Sequence, residues 1–221
     1  MIVEGDVVVS EVMRQPVATN TLFDALSASI AALSPGPRVA VLGFGAGGVV
    51  GPLRGMGSQH AIEGVDLSPT GEPLFREFCS EWAGDVTLTR GEAYAWLGRK
   101  RKPYDFILED LSESHPEYVA VKPWISLDVL PRRIAEKLTP RGVVVFNLLP
   151  WPGTSWSTVT DRISAPFRHA CVVYFKEYQN RLLIAGDRLP ETREIGKRLR
   201  ESLRRVRSSQ ADEISVRTWR R

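Results

Sequence analysis

The chain has 221 residues, 43% hydrophobic and 25% charged, with a formal net charge of +3; one domain can bury a sizeable core at that length, and no second is required. Its longest apolar runs, such as Val143 to Pro150, have strand length and fall far short of the roughly 20 residues that cross a bilayer, which argues against a membrane span. The first residues lack the basic-then-apolar pattern of a signal peptide, so a cytoplasmic location is expected, and Cys79 and Cys171, without partners at metal-ligand spacing, are expected as buried thiols, with no metal site.

Residues 2 to 13 alternate and then run in valines, which predicts a strand or hairpin, a short N-terminal β extension over residues 1–18 whose apolar surface would suit a homodimer. Thr19 to Leu33 carries Leu22, Leu26, Ile30 and Leu33 at helical spacing, and Ser34-Pro-Gly-Pro37 ends that helix. Strands and helices then take turns. Strands are predicted at Arg38 to Leu42, Ala61 to Asp66, Asp85 to Thr89, Tyr104 to Asp110 and Gly142 to Leu148. Helices are predicted near Gly47 to Met56, Pro69 to Ser80, Glu92 to Leu97 and Trp124 to Leu138, with Trp124 on the apolar, core-facing side of the last. Such alternation implies a doubly wound, Rossmann-like α/β domain, here residues 19–187, with a parallel sheet between helices. The last two strands, Cys171 to Phe175 and Arg181 to Ala185, are too close for a helical crossover and should pair antiparallel.

Residues 188–221 hold 11 Lys/Arg against 5 Asp/Glu, so the rest of the chain is slightly acidic and the tail basic. Ile195, Leu199, Leu203 and Val206 recur at helical spacing, which predicts a helix docked by one apolar stripe with a solvated basic face. The alternative is an anionic partner such as nucleic acid, recognisable by a steep salt dependence.

The chemistry gathers where strands end. Gly43-Phe-Gly45-Ala-Gly47-Gly48 follows a buried strand and precedes a helix, where glycines permit a tight turn and close approach of backbone N–H groups to a ligand. Asp66 ends the next strand in Gly64-Val-Asp-Leu67-Ser, where a carboxylate can accept both hydroxyls of a ribose; the alternative is a cap for the helix that follows. Gly43, Gly45 and Gly48 with Asp66 also fit a dinucleotide fingerprint, so NAD is the rival ligand. Against it stand Gly91-Glu92-Ala93 at the third strand's end, where an acid can meet an adenine amino group, and Glu109-Asp110 at the fourth's, at the carboxyl edge where open α/β sheets bind ligands. Asp110 can accept a proton from an amine or hold it in line with a sulfonium carbon. Glu109 is the second catalytic candidate, although adjacent strand residues point to opposite faces and an ion-paired glutamate is the alternative.

From about Arg38 to Ala185 the chain resembles class I methyltransferases, and most closely their spermidine synthase-like branch. Gly43-Phe-Gly-Ala-Gly-Gly-Val49, Asp66, Gly91-Glu92 and Tyr104-Asp-Phe-Ile-Leu-Glu-Asp110 carry the likeness. It implies a seven-stranded sheet closed by an antiparallel hairpin, with S-adenosyl-L-methionine as cofactor. Gly43, Gly45 and Gly47 would seat the methionine part, Asp66 and Leu67 the ribose, Glu92 and Ala93 the adenine, and Asp110 would lie between cofactor and acceptor. Asn147 and Trp151 stand where the family places acceptor contacts, a structural role being the alternative for both, and Glu113 would substitute for the family's second acid; Gln15 to Asn20 are expected as a further wall and His115 and Tyr118 in a surface loop. Two departures bear on the reaction. Aminopropyltransferases resemble one another in an aspartate inside the glycine motif, where this chain has Ala46, and in a Ser-Ser-Asp-Pro run where it reads Leu111-Ser112-Glu113-Ser114. Methyl transfer to a small-molecule or protein acceptor, an amine among them, is therefore the leading expectation. Aminopropyl transfer from decarboxylated S-adenosylmethionine is the alternative, and a non-catalytic nucleotide-binding module the third reading.

Overall fold

Strands buried on both faces read as unbroken apolar runs. Val39 to Leu42, Phe106 to Leu108 and Val143 to Phe146 are such runs, each residue at most 2% exposed. The computed structural model describes residues 2–4, 7–118 and 120–220. The side chains of 2–4 and 7–9 also lie outside it, and with them the apolar dimer surface expected there. In chain order the elements are β1 (Ile2–Glu4), β2 (Val7–Ser10), α1 (Leu22–Leu33), β3 (Arg38–Leu42), α2 (Val50–Gly55), β4 (Ala61–Asp66), α3 (Gly71–Cys79), β5 (Val86–Arg90), α4 (Ala93–Gly98) and β6 (Tyr104–Glu109). There follow α5 (Trp124–Leu127), α6 (Leu130–Lys137), β7 (Leu138–Leu148), α7 (Trp156–Ser164), β8 (His169–Phe175), β9 (Arg181–Gly186), α8 (Thr192–Arg205), α9 (Gln210–Glu213) and β10 (Ile214–Thr218).

β1 and β2 form an antiparallel pair of their own, and the other strands make one sheet in the order β10-β8-β9-β7-β6-β3-β4-β5. The five strands from β7 to β5 are mutually parallel, while β9 runs antiparallel to β7 and β8 to β9. This is the doubly wound sheet and hairpin expected from the sequence. The chain winds outward from β3 through β4 to β5, then returns to lay β6 on the other side of β3. The loops leaving β3 and β6 therefore diverge and open a crevice at the carboxyl ends of the strands. One core layer packs Leu26, Ile30, Leu53, Phe75 and Leu199 against one face of the sheet, and a second packs Leu97, Leu130, Ile134 and Ile163 against the other.

Four local features depart from the sequence expectation or add to it. The helix expected over Trp124 to Leu138 breaks at Asp128 into α5 and α6, with Pro131 in the first turn of α6, where its missing N–H costs no hydrogen bond. Trp124, expected in the core, is 52% exposed. Helix α7 was not foreseen, because the β-branched residues of Trp156–Ser164 mask its period; its signal was Ser155, which accepts from the Thr158 N–H as an N-cap. In the tail, α8 buries Ile195, Leu199 and Leu203 as expected, and the chain then adds β10 antiparallel to β8, an eighth strand beyond the seven. Among the described residues no helix is long and apolar enough to cross a membrane.

Candidate active site

The glycine loop turns because its glycines take a backbone that side chains disfavour: Gly43, Gly45 and Gly47 have φ of +84°, +54° and +78°. Space is as restrictive as conformation. A Cβ on Gly43 would stand 2.5 Å from the Asp110 carbonyl oxygen, and one on Gly71, at the start of α3, 1.9 Å from the Gly45 carbonyl oxygen. The loop after β3, the end of β6 and the start of α3 thus share one packed backbone junction. Ala46 is fully buried, and its N–H donates to the Ser10 hydroxyl at 3.0 Å, so the end of β2 lies over the loop.

Asp66 holds that loop from the other side. Its Oδ2 accepts from the Gly45 N–H at 2.7 Å and its Oδ1 from the Ser68 N–H at 2.8 Å. Each carboxylate oxygen has a second lone-pair direction, so the ribose role assigned to Asp66 remains chemically open alongside this scaffold role. Leu67 beside it is 67% exposed, an apolar side chain presented at the sheet's edge. A cavity of about 470 Å³ opens here, bordered by Gly45, Asp66, Ser68, Arg76 and Arg90, within the usual size of small-molecule sites. Glu92 has a different local task from the one expected of it. It is the N-cap of α4, accepting from the Tyr94 N–H at 2.7 Å and the Ala95 N–H at 2.6 Å, while Ala93 is buried in the core.

At the end of β6 the two adjacent acids part company. Asp110 is partly exposed, its N–H pairs with the Leu42 carbonyl at 2.8 Å, and its Oδ1 accepts from Asn147 Nδ2 at 2.6 Å. Asn147 in turn accepts from Asn180 Nδ2 at 3.0 Å, a chain of amides from β7 to the start of β9 that aims the carboxylate. Burial pushes the Asp110 carboxyl up to about 6, with Glu109 and Asp66 adding to the rise and Asn147 and Lys122 opposing it.

Glu109 is 0% exposed and does not face the crevice. Its Oε2 lies 2.6 Å from Lys122 Nζ, an ion pair poorly aligned as a hydrogen bond, and its Oε1 accepts from Ser126 Oγ at 2.7 Å. It is the ion-paired glutamate weighed as the alternative to a catalytic role. The buried partner, Lys122, has no periodicity or motif to announce it, which is why the sequence did not single it out.

Of the acceptor candidates, Asn147 is brought against Asp110, whereas Glu113 is exposed and its backbone pairs with Val121 across the neck of the loop. Trp151 packs against the exposed Trp124, ring centroids 5.8 Å apart, and the Arg162 guanidinium lies over Trp124 at 4.9 Å. His115 and Tyr118 meet edge to face at 5.3 Å at the loop's tip. Asn20, expected on an acceptor wall, is engaged by the tail instead, accepting from the Ser209 N–H and from Gln210 Nε2. Cys79 and Cys171 are buried thiols, pushed up to about 11 and about 12 by burial.

No protein-family model matches the chain, and no curated protein matches it. Solved structures do. Human methyltransferase-like protein 13, in complex with SAH, superposes with a TM-score of 0.61 at 19% identity over 84% of this chain and 90% of its own. A spermidine synthase in complex with the transition-state analogue AdoDATO gives 0.63 at 13% identity, and the spermidine synthase of Thermotoga maritima 0.62 at 14%, each over 87% of this chain. The chain spans 66% of the length of either synthase. At these identities the likeness is one of fold.

Proposed function

We propose, from the class I methyltransferase fold that this chain has, that it is an S-adenosylmethionine-dependent transferase moving a methyl group to an amine acceptor. The observation that carries the reading is the backbone junction of Gly43 with Asp110, where no Cβ fits between them. It sets a partly buried carboxylate directly beside a loop built for close backbone approach. The 470 Å³ cavity shares only Gly45 and Asp66 with the residues assigned to the cofactor, and would take part of it beside the ribose. Gly43, Gly45 and Gly47 would hold the methionine part, and Asp66 with Leu67 the ribose. Glu92 would reach adenine only with the lone pairs its capping bonds leave free.

S-adenosylmethionine supplies a methyl carbon on a positively charged sulfur. An acceptor nitrogen would displace the sulfur at that carbon, the carbon–sulfur pair leaving with sulfur, and Asp110 would take the nitrogen's proton. Asn147 and Asn180 keep that carboxylate aimed. In-line positioning of this kind supplies roughly 7 to 11 kcal/mol of catalysis, and a base with a pKa near 6 is ionised and still basic at neutral pH. Ala46 favours methyl over aminopropyl transfer. It is fully buried under Ser10, so this part of the loop presents no carboxylate to an amine lacking its own carboxyl group.

Calorimetry with S-adenosylmethionine, its decarboxylated form, methylthioadenosine and NAD tests the reading. Micromolar binding of the first and weaker binding of the second are expected; failure to bind any adenosyl sulfur compound would overturn it, and preference for the decarboxylated form would turn it to aminopropyl transfer. Release of labelled methyl groups across a panel of primary amines then tests the acceptor class. Asp110→Asn should keep cofactor affinity within about threefold and lower turnover by about 10²- to 10⁴-fold.

A further inference from the structure

The residues on either side of Asp110 are gripped by one side chain. Lys122 Nζ pairs with Glu109 Oε2 at 2.6 Å and donates to the Leu111 carbonyl at 2.8 Å, so a single ammonium ties down positions 109 and 111. Lys122 is 0% exposed and enters from the far side of the loop, next to Val121, whose N–H and carbonyl both pair with Glu113 at 3.0 and 2.9 Å. Glu109 is fixed in turn by Ser126 Oγ from α5 and by the Leu111 N–H at 3.3 Å. A buried ion pair of this sort is a poor source of stability, since desolvating two ions offsets most of their attraction. Its geometry is specific: it closes the base of the loop and fixes the backbone on both sides of the candidate base.

We propose that Lys122 is a positioning residue for Asp110, holding the turn that presents the carboxylate by gripping the residues on either side of it. Among the described residues the groups acting on Asp110 are Lys122 from the loop, Glu109 on its own strand, Asp66 from β4 and the Asn147 amide from β7. Lys122 is the cation of the set. With the Asn147 hydrogen bond it opposes Glu109, Asp66 and burial, and so favours the ionised form of Asp110. The proposal rests on the reading of Asp110 as the reacting group, but its test needs no turnover.

Carbon-detected titration of the Asp110 carboxyl, assigned with the Asp110→Asn variant, measures the effect in the ligand-free protein. Removing a neighbouring cation raises a carboxyl by about one pH unit or more. Lys122→Met should therefore move the midpoint up by about that much, and Lys122→Arg, which keeps the charge, should leave it nearly in place. Hydrogen exchange at the Val121 amide should quicken in the Met variant. Lys122→Met leaves Glu109 buried without a counter-ion, so a Lys122→Met, Glu109→Gln pair serves where the single variant fails to fold; a smaller upward shift is expected there, because one opposing charge goes too. An Asp110 midpoint unmoved in the variant that folds, or an equal shift in Lys122→Arg, would overturn the proposal and leave Lys122 a space-filling ion. Loss of activity in Asp110→Asn bears on the base itself, so the two readings fail separately.

Discussion

Asp110 illustrates how much one side chain's surroundings decide. Its carboxyl lies at about 6 in the fold, above the ordinary value of 3.8. Folding therefore favours its protonated form, and the ionised form at neutral pH costs stability of about 3 kcal/mol. Two outcomes follow. The acid limb of turnover should rise through about pH 6, read from initial rates under saturating cofactor. Asp110→Asn should melt at a higher temperature than the parent at pH 8, by roughly 6 to 12 °C, and show no such gain at pH 4, where Asp110 is already protonated in the fold. Equal melting temperatures at pH 8 would mean that the carboxylate is not strained. The neighbouring pair was only half legible in the sequence. That two acids end a strand can be read directly, but which of them faces the crevice depends on Lys122 and Ser126, which arrive from the loop and α5. Glu92 carries a second task that the sequence reading did not weigh. An acid just before a short helix is equally good as a cap, and both its oxygens are used that way.

Among the elements, the parallel strands were legible because their apolar runs are buried on both faces, and the glycine loop because only glycine tolerates its backbone. Gly71 was not legible. Its φ is unremarkable, and the constraint comes from the Gly45 carbonyl oxygen pressed against it. Gly71→Ala should therefore be as damaging to cofactor binding as Gly43→Ala, lowering affinity at least tenfold and stability by more than about 2 kcal/mol, within the range for overpacked sites; calorimetry and thermal melting measure both. Gly98→Ala is the control, since nothing lies within 4 Å of the Cβ it would add, and it should bind within about twofold of the parent. The break between α5 and α6 escaped the sequence reading because hydrophobic spacing continues across it. Pro131 marks where the second helix begins, and Trp124 is left out at the rim rather than in the core.

Across the whole molecule, the edge of the sheet away from the crevice is held by a cluster on Glu63. Its carboxylate meets Arg38 at 2.9 Å, Lys100 at 2.7 Å and the Tyr104 hydroxyl at 2.9 Å. Burial works against this carboxylate's charge, but the hydrogen bonds from Lys100, Arg38 and Tyr104 outweigh it and hold the group below the ordinary 4.5. Stability from Glu63 is present above that ordinary value and is lost as pH falls through the lowered one. Asp110 acts in the opposite sense, its cost fading as pH falls below about 6. As far as these two groups decide it, the melting temperature should be highest at about pH 4 to 4.5 and fall as pH rises to about 6, and Asp110→Asn should flatten only that alkaline side; a parent profile with its maximum above pH 7 would contradict this.

The tail contributes at the same scale. β10 covers one side of β8, so a chain ended after Glu213 should expose that strand and self-associate, as light scattering at micromolar concentration would show. The same strand has a consequence for how the molecule is made. A ribosome delivers β8 well before β10, with β9, α8 and α9 emerging in between. Until then β8 offers an unpaired backbone to the crowded surroundings of the nascent chain, where such edges seed misassembly. The β8 edge is covered only after β9, α8 and α9 have emerged, and this interval is when the growing polypeptide would depend most on chaperones.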